Sequence, residues 1–218
     1  SISKKVWGGL AKHKGRVDFT AVKTIDEEGA EELANYEGCN FSFVGKGRWP
    51  IMERFGFTLG GLTSISDQVS AKLSKFKNAE PPWVKELSLA WPGEFTKLSI
   101  IHDFSGLTSI SPKALKSLAK LQGHLDLSGL ESFTVEHATA LKGHEGGVFL
   151  CGLRSISVEA AKELAQIKPG QFHGPYRGSS VASAILKLSG IVNIETDVAE
   201  ALLGYKVILD FGTVDKLT

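Results

Sequence analysis

The chain has 218 residues, 42% hydrophobic and 22% charged, with 25 Lys and Arg against 24 Asp and Glu. At this length one core buries roughly 70% of the unfolded surface, so neither disulfides nor metals are needed to hold a domain together. The formal charge of +1 excludes the basic surplus of a dedicated nucleic-acid binder, and no apolar run approaches the roughly 20 residues of a membrane span.

Along the chain, elements recur about seven apolar anchors: Ile25, Ile65, Ile110, Phe133, Ile156, Ile194 and Leu217. The first element is a helix end at Leu10, Ala11 and Lys12, then Gly15 and a strand through Val17, Asp18 and Phe19. Leu118, Ala119, Lys120, Gly123, Leu125, Asp126 and Leu127 repeat that order. The chain is therefore expected to begin inside one unit and to stop at the anchor of another. Both ends read as truncated, with Trp7 a candidate cap.

Strands are expected eight residues before the anchors, at Val17, Phe57, His102, Leu125, Val148, Leu186 and Leu209. Two residues further on stand Phe19, Leu59, Phe104, Leu127, Leu150, Leu188 and Phe211. Apolar positions two apart share one face of an extended segment. His102 alone breaks the apolar pattern and reads as a hydrogen-bonded core histidine. After the anchors, Asp26, Ser66, Ser111, Thr134 and Ser157 are placed to cap helices, and Pro112 fits a first helical position. Leu33, Leu73, Leu118, Leu141, Leu164 and Leu202, eight past the first six anchors, mark the buried helix face. Gly38, Gly123, Gly143 and Gly170 then fall where a left-handed stop is expected.

Anchor spacings of 40, 45, 23, 23, 38 and 23 define a 23-residue unit, with inserts at 39–56, 79–101 and 171–185. Phe41 with Phe43 and Leu87 with Leu89 alternate as extra strands would, and Phe172 is their counterpart in the third insert. Loops bulging from one edge are the competing reading of the inserts.

The blocks Leu107–Leu118 and Leu125–Leu130 resemble leucine-rich repeats over residues 10–218, and are similar to the 23-residue BspA-like class. They depart from the common pattern. Gly106, Gly129, Gly152 and Gly190 precede Leu107, Leu130, Leu153 and Ile191 where an asparagine is usual, and Leu115 and Ala161 replace a BspA-like aromatic. The resemblance implies one α/β domain over 1–218, a right-handed solenoid with a parallel sheet on its concave face and short helices on its convex face. It further implies a non-catalytic module that binds a protein partner, or less often carbohydrate, on the concave face. No catalytic residue, metal or cofactor carries over. A fragment of a larger enzyme or receptor is the alternative. Another is carbohydrate recognition by Trp49, Trp83, Trp91 and Tyr176.

Seven residues before the anchors stand Asp18, Thr58, Asp103, Asp126, Phe149, Lys187 and Asp210, expected to face outward from the sheet. Partner binding is expected at Asp103, Asp126, Phe149, Lys187 and Asp210. Asp103 and Asp126 would be adjacent like charges calling for a cation or a basic segment, and Phe149 would be an aromatic anchor. A plain solvated face is the competing reading of the aspartates, and packing against an insert that of Phe149. A second patch combines Arg48 and Trp49 with Tyr176 and Arg177, cations beside rings, and competes with a reading of the inserted tryptophans as core plugs. Six histidines, with His137 and His144 the closest pair, match no zinc spacing. Cys39 and Cys151, 112 residues apart, form no disulfide or CxxC pattern and read as free thiols, Cys151 facing outward. Free thiols favour a reducing compartment such as the cytoplasm. The start at Ser1 leaves room for a removed leader, so localisation stays open.

Overall fold

The computed structural model describes residues 2–13, 17–36, 40–44, 51–76, 100–167, 185–205, 208–212 and 216–217, with backbone alone for 40–44, 51–57 and 216–217. Arg48, Trp49, Trp83, Trp91, Phe172, Tyr176 and Arg177, the Leu87–Leu89 pair, Cys39, Gly38 and Gly170 lie outside the described residues.

The fold is mixed α/β. Helices are α1 (Lys4–Ala11), α2 (Glu27–Leu33), α3 (Asp67–Leu73), α4 (Pro112–Leu118), α5 (Val135–Ala140), α6 (Val158–Leu164) and α7 (Thr196–Leu202). Strands are β1 (Asn40–Val44), β2 (Ile51–Thr58), β3 (Ile100–Asp103), β4 (His124–Asp126), β5 (Val148–Phe149), β6 (Ile185–Lys187), β7 (Asn193–Ile194), β8 (Ile208–Asp210) and β9 (Lys216–Leu217). One sheet runs β1-β2-β3-β4-β5-β6-β8, with β1 antiparallel to β2 and every later pair parallel. A second, β7 with β9, pairs the anchors Ile194 and Leu217. Helices pack side by side in chain order, α1 on α2 through to α6 on α7.

Each helix starts where its cap permits. The side chains of Asp26, Ser66, Ser111 and Ser157 accept from the backbone N–H of Gly29, Val69, Ala114 and Ala160, three residues on, at 2.8 to 3.2 Å. These bonds satisfy donors that the first helical turn leaves orphaned. Thr134 departs from that pattern, since its own backbone N–H donates to His137 Nδ1 at 3.1 Å. Gly123 and Gly143 take the left-handed conformation, with φ of +115° and +89°.

Strand and helix meet across a single apolar core. His102, Leu125, Val148 and Leu186 point into it from the strands, followed by Phe104, Leu127, Leu150 and Leu188, all buried. Leu33, Leu73, Leu118, Leu141, Leu164 and Leu202 close it from the helices. The strands are short, yet the ladder continues one residue past each. Phe104, Leu127, Leu150 and Leu188 donate their N–H to the carbonyls of Asp126, Phe149, Lys187 and Asp210 on the next strand, at 2.7 to 2.9 Å.

The corner from strand to helix has one recurring construction. In it the N–H of Leu62, Leu107, Leu130, Leu153 and Ile191 donates to the carbonyl three residues back, closing a turn. Gly61, Gly106, Gly129, Gly152 and Gly190 occupy the third place of that turn without positive φ. Their requirement is close approach: a Cβ on any of them would overlap the carbonyl oxygen of Thr20, Gly60, Ser105, Ser128 or Cys151 respectively, in the preceding segment. These glycines bring successive backbones into contact.

Three expectations change near the first insert. Strand β2 begins at Ile51, inside the span assigned to the insert, and β1 lies against it. Residues 17–19 form no strand. Thr58, expected outward, is buried, and its Oγ1 donates to the Val17 carbonyl at 3.4 Å and accepts from Phe19 N–H at 3.3 Å. The segment 17–19 covers the threonine through those two bonds, and upstream, where Phe55 pairs with Ile101 and Thr58 with Asp103, β2 carries one extra residue. Trp7 is 1% exposed, packs on Phe19 with ring centroids 5.8 Å apart, and lies where a Cβ of Gly29 would be.

Candidate functional site

Parallel pairing without slippage puts residues that stand 23 apart in sequence side by side, and across one longer connection residues 38 apart. Asp103 pairs with Asp126, Asp126 with Phe149, Phe149 with Lys187, and Lys187 with Asp210. The five expected binding residues therefore form one row across the sheet, each half-buried and on the side opposite the core.

The carboxylates in this row already have a local partner. Asp103 Oδ1 accepts from Ser105 N–H at 2.9 Å and from its hydroxyl at 2.6 Å. Asp126 accepts from Ser128 N–H at 3.0 Å and Asp210 from Gly212 N–H at 2.8 Å. Asp18, at the same place in its segment, accepts from Thr20 N–H at 2.9 Å. Aspartate recurs here because its side chain starts the corner by holding the N–H two residues on. One oxygen of each is committed to that turn, so the row's negative charge comes with its geometry fixed.

Phe149 sits between unlike neighbours. Lys187 Nζ lies 6.0 Å from its ring centroid and pairs with Asp210 at 3.7 Å. Solvent reaches about two-fifths of each side chain in that ion pair, which makes it energetically minor. On the other side the His124 ring stacks on Phe149 at 5.7 Å with 21° between planes.

His124 is the site residue that the apolar pattern misses. It stands two residues before Asp126, hence on the same face, but it is only 4% exposed. Its Nδ1 accepts from Gly147 N–H at 2.7 Å, which puts the proton of the neutral ring on Nε2. Burial, with His144 adding to it, pushes its pKa down to about 4.

The other buried or half-buried histidines bind backbone of a neighbouring segment as well. His102 Nε2 meets the Gln122 carbonyl at 3.0 Å, His137 Nε2 that of Ile110 at 2.7 Å, and His144 Nδ1 that of Ala119 at 3.1 Å. Burial also lowers the pKa of His144. His137 and His144 are thus each engaged with the segment before them, and among the described residues no group of three or more His, Cys, Asp or Glu is gathered as for a metal. Cys151 is a half-buried free thiol. No helix among the described residues is long and apolar enough to cross a membrane. In chemical terms the row offers carboxylate acceptors, a phenyl face and an ammonium, which is equipment for recognition by charge and apolar contact.

Compared with known proteins, the chain matches no protein-family model, no curated protein and no solved structure.

Proposed function

We propose that the chain is a solenoid of leucine-rich-like units and a non-catalytic module that binds a protein partner on the open face of its sheet. The observation that carries this reading is the row Asp103, Asp126, Phe149, Lys187 and Asp210, adjacent in register and turned away from the core. Phe149 is its centre, an aromatic ring with acid on one flank and a cation on the other. Such rings supply much of the binding energy where they are desolvated by a partner. Strands and helices that each succeed one another in chain order support the solenoid.

The experiment is capture from a lysate of the source organism on immobilised wild-type chain beside Phe149→Ala, with retained proteins identified by mass spectrometry. A partner held by the wild type and lost with Phe149→Ala is expected, while both chains unfold at urea midpoints that differ little. A partner held equally by both would remove the row from the binding surface.

A further inference from the structure

We propose that His124 is an acid-operated latch on this face: its uncharged ring holds Gly147, two residues before Phe149, and protonation releases that hold. The inference rests on reading the face as the binding surface, but the latch can be observed without any partner.

The geometry admits only the neutral ring. Nδ1 accepts from the Gly147 N–H at 2.7 Å, and a proton on that nitrogen would set donor against donor. The bond exists because residue 147 is glycine: a Cβ there would overlap the His124 ring. Gly147 is also the ladder partner of β4, its carbonyl accepting from Leu125 N–H at 2.9 Å, and it leads within one residue into the two-residue strand β5, which carries Phe149. Loss of the imidazole bond therefore loosens the backbone that aims Phe149.

Among the described residues, the charged or titratable groups near His124 are Asp126, Asp103, His102, His144, Glu145 and Lys187. On its own strand, Asp126 is committed to Ser128. From β3 come Ile101, paired directly with His124, then His102 on the core side and Asp103 held by Ser105. From the return before β5 comes His144, buried and itself disfavoured as a cation, with exposed Glu145 beside it. Strand β5 contributes uncharged Val148 and Phe149, and beyond them lies Lys187, of the wrong sign to help.

The test is amide hydrogen exchange read by NMR across the acid range, corrected for intrinsic rates, on wild type and His124→Asn. The asparagine carbonyl oxygen takes the place of Nδ1 as an acceptor and does not titrate. In the wild type, protection at Gly147 is expected to fall about tenfold per pH unit between 6.5 and 4, the ordinary and buried pKa of this ring. Leu62 N–H, bonded to the Leu59 carbonyl far from the latch, should keep its protection. With His124→Asn the Gly147 curve should be flat. A flat wild-type curve overturns the proposal, and so does an unchanged slope in the variant. Should the variant not fold, the wild type decides alone: the His124 ring nitrogens, the Gly147 amide and the Phe149 ring protons must shift with one midpoint, and separate midpoints overturn the latch. A failed Phe149→Ala capture would remove the partner-binding reading and leave these curves as they are.

Discussion

An aspartate whose Oδ1 holds the N–H two residues on can lose its charge without losing its place in the fold. Asparagine keeps that acceptor, so the double change Asp103→Asn with Asp126→Asn should leave the urea midpoint near wild type, while Asp126→Ala, which orphans Ser128 N–H, should cost about 1 kcal/mol. Denaturant titration of the two variants checks the contrast. Histidine behaves differently, because its charge state decides whether its bond exists. The unfolded chain takes up a proton on His124 near pH 6.5 and the folded chain not until about pH 4. Between those values the unfolded state binds more protons, so this contribution to stability is complete above 6.5 and shrinks by about 3 kcal/mol on acidification to 4. Urea midpoints at intervals through that window should fall in wild type and fall less in His124→Asn. The aspartate role was present in the sequence as Asp followed two residues later by Thr, Ser or Gly, at Asp18, Asp103, Asp126 and Asp210. The role of His124 was not, because it depends on the approach of Gly147 from another segment.

The corner between strand and helix is the element most sensitive to an added atom. Gly129→Ala drives a methyl into the Ser105 carbonyl and should cost about 3 kcal/mol, whereas Gly9→Ala meets nothing within 4 Å, lies in α1, and should be neutral or add up to about 1 kcal/mol. Leu127→Ala, a fully buried truncation, should cost roughly 2 to 5 kcal/mol. Thermal and urea unfolding of the three variants would rank them. Helix starts were legible because a cap is local: Asp26, Ser66, Ser111 and Ser157 bond groups three residues away. Helix α7 starts after Glu195, with no side-chain cap, so its start was signalled only by Asp197 in the first turn and by the apolar spacing of Val198 and Leu202. The burial of Thr58 was illegible for the opposite reason, since it depends on the approach of Val17 and Phe19 from a segment about 40 residues away in sequence.

At the scale of the molecule, the register of the sheet was the most legible feature and the chemistry of its open face the least. Equal spacing of Asp103, Asp126 and Phe149 carries over unchanged into side-by-side pairing, because a strand shifted by one residue would turn Leu125 and Val148 away from the core. The glycine corner has a consequence for how such a chain can grow. Residues added there would part backbones that now touch. A foreign loop grafted after α5, near exposed Lys142 and Gly143, should be accommodated, and the same loop spliced beside Gly129 should not. One edge of the protein is a seam and the other a margin, and only the margin can be rewritten.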